Sequence, residues 1–459
     1  MSEIKKNSPI RVRVEEINNL GYGVGHTADG RVVFLRGAVT GEEWDAKVIK
    51  VAKSYLVARP EALVTPSPMR QETPFCSAPD ACGGCIYRHI RYEDERKIKE
   101  DYVRTAFRKA GLSHIPVNPL QHAEGETHYR NKAQYPLRAG ANGIEAGFYA
   151  VKTHSVVTGG ECMIQHASVS PIVSFFCKRA TEMGLSVYDE QTGNGLLRHL
   201  YLRVGEATGE VMVCLVVNGG RFDGDTTLAK ELSEEFPAIV SVMLNENRKQ
   251  TNVILGEKTH CLCGQSYIED ILCGKRFRIS PEAFYQVNRD GAELLYGIGA
   301  ELADLTGKET LIDLYCGIGT IGLSMSDRAE RLIGVEIVPE AVECARENAR
   351  RNGVENAEFY CMDAGGVTTL PVLQSLDGKN TVVVMDPPRK GSTPEVIEFL
   401  AERGFPKIVY ISCAPDTLAR DVAQFLTLGY DCSPVTPVDM FPRTGHVESV
   451  VCLKRQIQQ

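Results

Sequence analysis

From residue 281 onward, short apolar strands alternate with amphipathic helices: TLIDLYCGIG, RLIGVEIV, AEFYCMDA, TVVVMDPP and KIVYISCA, with PEAVECARENARRNG the clearest helix. No other feature of the chain restricts its fold as strongly. Strands that are apolar along their whole length leave neither face to water. With helices between them they predict a doubly wound parallel sheet covered on both sides. Ligands of such sheets bind outside the carboxyl ends of the strands, so the residues that end each strand become the first candidates for chemistry.

At 459 residues the chain is too long for one core and predicts several domains. Residues 1–64 alternate in β fashion (IRVRVEEI, RVVFLRGAV, EEWDAKVIKVAKSYLVARPEALV) around the glycine-rich turn LGYGVGHTADG, which suggests a small closed barrel. TPSPMRQETP at 65–74 reads as a linker. Residues 75–280 read as an α+β domain that opens with a cysteine cluster and a charged helix at 92–110. Residues 281–459 form the Rossmann-like α/β domain. The longest apolar run, VMVCLVV at 211–217, falls far short of the ~20 residues a membrane span needs. MSEIKKNSPI turns polar at once, so a cytoplasmic monomer with no membrane partner is the expectation. The formal charge of −8 argues against a basic nucleic-acid binder, yet residues 1–140 hold 22 Lys and Arg against 17 Asp and Glu, a net of +5. A polyanionic partner for this third is permitted.

In IDLYCGIGTIGL, Gly317, Gly319 and Gly322 satisfy the dinucleotide fingerprint, so an NAD enzyme has to be weighed. S-adenosylmethionine fits the flanking residues better. Asp313 can meet an ammonium group, Glu336 at the end of the second strand can accept both ribose hydroxyls, and Asp363 at the end of the third can reach an adenine edge. Each carboxylate alone could instead be a helix N-cap; their succession along one sheet edge argues against that. Asp386 in DPPRKG ends the fourth strand, where Arg389 replaces the aromatic residue that amino-N methyltransferases use. Cys413 in SCAP ends the fifth, at the start of a helix, where a lowered thiol pKa is expected. Methylation of uracil C5 requires a thiolate to attack C6 and a base to remove the C5 proton afterwards. FPRTGHVESVVCLKR supplies Glu448 as candidate base, while His446 reads equally as a loop partner.

Fifteen cysteines in a chain without a secretory leader favour metal or catalytic use over disulfides. Cys177, Cys214, Cys273, Cys344, Cys361 and Cys452 read as buried thiols. Cys76, Cys82 and Cys85, with Cys162 far downstream, could hold zinc or a 4Fe–4S cluster, and the three-plus-one spacing leans to iron–sulfur. In HYRNKAQYPLR, Arg130, Lys132 and Arg138 with Tyr129 and Tyr135 between them suit phosphates and flipped bases. A half-buried strand explains them too.

Cys413 in SCAP, Asp386 in DPPR, the GHVES strand and YQVN at 285–288 together resemble the RNA uracil-5-methyltransferase family, the RumA/TrmA group, along essentially the whole chain. The resemblance implies Cys413 as nucleophile and Glu448 as proton acceptor. It also implies Gln286, Tyr315, Glu336 and Asp386, with Asp363, as cofactor or substrate contacts. The family's ribosomal-RNA branch carries a 4Fe–4S cluster at the spacing of Cys76, Cys82, Cys85 and Cys162, and the first sixty residues resemble its TRAM domain. Both imply 23S ribosomal RNA as partner. A transfer-RNA enzyme is the alternative within the family. An iron–sulfur oxidoreductase or a non-catalytic RNA-binding protein would leave Cys413, DPPR and Glu448 idle.

Overall fold

The computed structural model describes residues 4–376 and 378–456; positions 1–3 and 457–459 of the expected barrel and C-terminal domain lie outside them. The barrel consists of β1 (Pro9–Arg13), β2 (Glu16–Ile17), β3 (Tyr22–His26), β4 (Val32–Arg36), β5 (Glu43–Val51) and β6 (Tyr55–Thr65). Their order is β1-β5-β6-β4-β3-β2. Because β1 and β2 are nearly continuous in the chain, one stretch joins the two ends of this order, β1 beside β5 and β2 beside β3, and curls the sheet toward closure. Val12, Val33, Leu35, Val48 and Leu56 fill it. The glycine-rich stretch is not the turn its composition suggests, since Tyr22–His26 is a strand. A Cβ on Gly25 would collide with the Arg13 carbonyl, so glycine here admits a close strand approach. The linker is pinned: Arg70 pairs with the fully buried Glu42 and donates to the Gly37 carbonyl at 2.8 Å.

Helix α1 (Tyr92–Lys109) and β7 (Gln121–His122) come next. The central sheet contains β8 (Lys132–Gly140), β9 (Gly143–Ala146), β12 (Leu197–Val204), β13 (Val211–Val217), β14 (Ile239–Glu246) and β15 (Lys258–Gly264). The hairpin β10 (Phe148–Tyr149) with β11 (Val156–Val157) and the helices α2 (Val169–Glu182) and α3 (Asp225–Glu235) are interleaved with them. The sheet order is β15-β14-β13-β12-β8-β9. The unbroken apolar run of β13 has a structural reason. Val211, Val213, Leu215 and Val217 pack with α2 and α3. Met212, Cys214 and Val216 face the other way, into the core shared with the hairpin β16 (Ile268–Leu272) and β17 (Lys275–Ile279).

The C-terminal layer follows: α4 (Arg289–Ala303), β18 (Thr310–Leu314), α5 (Thr320–Met325), β19 (Arg331–Glu336), α6 (Pro339–Arg351), β20 (Ala357–Cys361), α7 (Pro371–Gln374), β21 (Thr381–Met385), α8 (Pro394–Arg403), β22 (Lys407–Ser412), α9 (Pro415–Thr427), β23 (Tyr430–Cys432), β24 (Thr436–Asp439) and β25 (Glu448–Arg455). Its order is β20-β19-β18-β21-β22-β25-β24-β7, with β23 also on β25. Strands β18 to β22 are parallel and β25 runs antiparallel to β22. The expected parallel sheet is therefore present with one reversed strand, and that strand opens with Glu448 and Ser449 of GHVES. Packing does not follow the boundary at 281. Val103 and Phe107 of α1 share a core with α8 and α9, and β7 extends this sheet beside β24. Among the described residues no helix is long and apolar enough to cross a membrane.

Candidate active site

Strand β18 delivers the chain into a tight turn, with Tyr315, Gly317 and Gly319 in the left-handed region at φ 65, 56 and 85°. Below the turn Asp313 is fully buried and its Oδ2 accepts from the Gly322 amide at 2.8 Å. This is the cap-like role weighed for a strand-end carboxylate. The other oxygen, Oδ1, is buried with no partner among the described residues, so it remains available to a cation. Burial, with Asp386 and Glu336 nearby, pushes this carboxyl up to about 7. Glu336 ends β19, and its two oxygens accept the Gly317 and Val338 amides at 3.0 and 2.9 Å. Asp363 lies just past β20, exposed, with its charge felt at Tyr315. The Tyr315 hydroxyl meets Ser392 Oγ at 3.1 Å. Glycine turn and carboxylates thus share one sheet edge, as a nucleoside cofactor requires.

The second half of the site follows from strand register. Ser412 on β22 pairs with Ser449 on β25, so one step further Cys413 stands opposite Glu448. Asp386 closes the group from the end of β21. Burial pushes the Cys413 thiol up to about 11, with Glu448 and Asp386 adding and Arg389 opposing. A lowered thiol pKa was the expectation for a cysteine at a helix start. Desolvation and two facing carboxylates outweigh the helix here. Glu448 and Asp386 are likewise held above the usual carboxylate range, chiefly by burial. Arg389 brings its guanidinium to 3.3 Å from the His446 ring nitrogens. His446 is pushed down to about 4 by burial and by Arg389, Lys99 and Arg130. It is therefore neutral at physiological pH and packs edge-on to Phe441.

Gln286 is buried beside Tyr296 at the mouth of α4, and its carbonyl accepts from Asn131 Nδ2 at 2.9 Å. Asn288 caps α4 by accepting from the Gly291 amide, and it donates to the Met440 carbonyl at 3.0 Å. YQVN is therefore a tie between the central sheet and the loop before Glu448. Sequence reasoning missed a further network. Asp421 of α9 accepts from the Ser392 amide at 2.9 Å and from the Tyr410 hydroxyl at 2.5 Å. It fixes the DPPRKG loop from beneath, and in sequence it is an ordinary helix aspartate.

Other expectations need correction. Tyr129 and Tyr135 are 7% and 6% exposed, and the Tyr129 hydroxyl donates to the Pro442 carbonyl at 2.8 Å, so they are core rings and offer no stacking surface. Arg138 is paired with Glu145. Lys99 of the charged helix is buried between Glu95 and Asp439 and presents no charge at the surface. Cys361, read as a buried thiol, is exposed.

Cys76, Cys82, Cys85 and Cys162 line one cavity of about 580 Å³, away from the strand ends. Burial pushes Cys85 up to about 12, with negative charge on the other three adding to it. Cys162 is pushed up too, against backbone amides of Ile164 and Gln165 that favour its thiolate. Among the described residues no group of three or more His, Cys, Asp or Glu is placed to hold a metal ion. A cubane cluster binds each thiolate through a different iron and so spreads its ligands further apart than one ion does.

A doubly wound sheet with a glycine turn, carboxylates along its carboxyl edge and a cysteine facing a buried glutamate is the build of a nucleoside-cofactor enzyme domain, here behind a small β-barrel. Known proteins resolve the class. The tRNA (uracil-5-)-methyltransferase model matches residues 227–456 and the TRAM domain model residues 5–60. Uncharacterized RNA methyltransferases of Halalkalibacterium halodurans and Clostridium acetobutylicum are 39% and 38% identical, each comparison covering 98% of both chains. The crystal structure of Pyrococcus abyssi tRNA (uracil-54, C5)-methyltransferase in complex with S-adenosyl-L-homocysteine matches with TM-score 0.78 at 26% identity, over 97% of this chain and 100% of that one. The chain belongs to the RNA uracil-5-methyltransferase family and carries a TRAM domain at its N-terminal end.

Proposed function

We propose that this enzyme uses S-adenosylmethionine to form 5-methyluridine in 23S ribosomal RNA, through a covalent bond between Cys413 and uracil C6. The carrying observation is the cross-strand placement of Cys413 opposite Glu448 with Asp386 beside them. The unpartnered Asp313 Oδ1 and the open side of the turn, where a Cβ on Gly317 would meet nothing within 4 Å, fit the cofactor's ammonium and body. Bound along Gly317, Tyr315, Glu336 and Asp363, the cofactor supplies an electrophilic methyl group. Once its proton has left to solvent, Cys413 Sγ adds to C6 as the thiolate, and the electron pair displaced onto C5 takes that methyl as the methyl–sulfur bond breaks with its electrons kept by sulfur. Glu448 then accepts the C5 proton, the C5–C6 double bond re-forms and the thiolate leaves. Asp386 and Gln286 hold the polar edge of the pyrimidine. The target base has to leave its stack to reach Cys413.

The four cysteines around one cavity fit a 4Fe–4S cluster, held by Cys76, Cys82, Cys85 and Cys162 as thiolates whose mutual repulsion the irons offset. A bound cluster would tie the 75–85 segment to the loop around Cys162. Anaerobically purified protein is expected to hold about four iron and four sulfide per chain, with broad absorbance near 400 nm. Cys162→Ser should lose both while retaining cofactor binding at the strand ends. Stoichiometric zinc in protein made with adequate iron would refute the assignment.

A transfer-RNA substrate is the second reading, favoured by one observation. The solved tRNA-modifying relative aligns over the whole three-part arrangement. Nucleoside analysis of a deletion strain decides between them. Loss of 5-methyluridine from 23S ribosomal RNA with transfer RNA unchanged supports the first reading, loss from transfer RNA alone the second, and loss from neither contradicts both.

A further inference from the structure

The loop between β24 and β25, residues 440–447, leads directly into Glu448 and is gripped from outside at successive residues. Lys99 of α1 donates to Asp439 Oδ1 at 2.9 Å and to the Phe441 carbonyl at 3.1 Å. Arg443 sits at the centre of the grip. It is 1% exposed, and its φ of 72° places a non-glycine residue in the left-handed region. Its amide donates to Glu95 Oε1 and its Nη1 to the Ile90 carbonyl, both at 2.7 Å. Nη2 pairs with Glu126, and the Arg443 carbonyl accepts from the Tyr87 amide at 3.2 Å. The guanidinium lies 4.3 Å from the centre of the Phe75 ring, next to Cys76.

We propose that Arg443 is a positioning residue that ties the loop before Glu448 to α1 and to the segment bearing Phe75, and so sets the geometry of proton removal from the methylated adduct. A backbone held in an unfavourable region persists only where its surroundings over-determine it, and here the contacts come from three separate stretches of chain. None of these contacts touches the cofactor edge or Cys413. Release of the loop therefore misplaces Glu448 and leaves thiol attack and methyl transfer in place. The inference rests on Glu448 as the proton acceptor proposed above.

The test follows a single turnover of full-length protein with RNA and S-adenosylmethionine, timing formation and decay of the covalent band on a denaturing gel. Glycine accepts φ 72° without strain, so Arg443→Gly removes the guanidinium contacts to the Ile90 carbonyl, Glu126 and the Phe75 ring and keeps the backbone ones to Glu95 and Tyr87. Adduct formation should stay within about twofold of wild type, and decay should slow on the order of 10²-fold, the cost of a misplacement near 1 Å. Arg443→Lys should recover part of the decay rate. If Arg443→Gly does not fold, Arg443→Lys and Phe75→Leu carry the test, and each must slow decay selectively. Wild-type decay, or equal slowing of both phases, overturns the proposal. Glu448→Gln separates the two ideas. If that variant accumulates adduct and Arg443→Gly does not, the positioning role alone falls; if Glu448→Gln fails to accumulate it, the base assignment has failed.

Discussion

Cys413→Ala protein is expected to form no covalent complex with RNA and to lose methyl transfer by about 10⁴-fold or more, the scale on which removal of a covalent nucleophile acts. C5 of uracil is a weak nucleophile until a group adds at C6, and Cys413 is the thiol that its strand register sets opposite Glu448, whereas Cys361 ends β20 at the far side of the sheet. Cys316, on the turn after β18, is buried with its Sγ toward the Gly317 carbonyl. The loss should fall on chemistry alone. Glu336, Tyr315 and the glycine turn make no contact that depends on the Cys413 side chain, so calorimetric affinity for S-adenosylmethionine should match wild type. Methylation of uridine by this variant at more than about 10⁻⁴ of the wild-type rate would remove the nucleophile assignment.

Glu448→Gln should fail at a later point. The amide keeps the shape of the side chain and cannot take a proton, so attack and methyl transfer proceed and the methylated adduct accumulates, with turnover reduced by about 10²–10⁴-fold. The sign of the pH dependence follows from the same group. Burial and Asp386 hold the Glu448 carboxyl above the usual range, and Arg389 opposes them. Only its ionised form accepts the proton, so wild-type adduct decay should quicken as pH rises from neutral to mildly alkaline. Asp386 is raised as well, and the midpoint belongs to the pair. The glutamine variant should lose this rise. Normal turnover by Glu448→Gln would transfer the role to another group, with His446 the first to examine.

Much of this arrangement was legible before any coordinates. Glu336, Asp363, Asp386 and Cys413 announce themselves because each follows an uninterrupted apolar strand, and the doubly wound topology puts all such ends on one edge. What stayed hidden depends on contacts between distant residues. The cross-strand pairing of Cys413 with Glu448 requires β25 to run against its neighbours, which strand–helix alternation does not encode. Tyr129 and Tyr135 suit stacking by residue type, yet the Pro442 carbonyl and the Phe148 ring claim them. Lys99 and Arg443 look like solvated charges until Glu95, Asp439 and Glu126 are brought around them by packing of α1 on the C-terminal sheet. Local pattern also misled at LGYGVGH, where glycines that admit close strand packing resemble those of a turn.

The central claim is that one cysteine carries the base through methylation and one glutamate releases it. Mass spectrometry of the complex trapped by Glu448→Gln, after nuclease and protease digestion, addresses both halves together. The account predicts a single cross-linked peptide containing Cys413, joined to a uridine that has gained one methyl group and still carries its C5 hydrogen. A cross-link on any other cysteine, or an unmethylated uridine on Cys413 in the presence of S-adenosylmethionine, would contradict it.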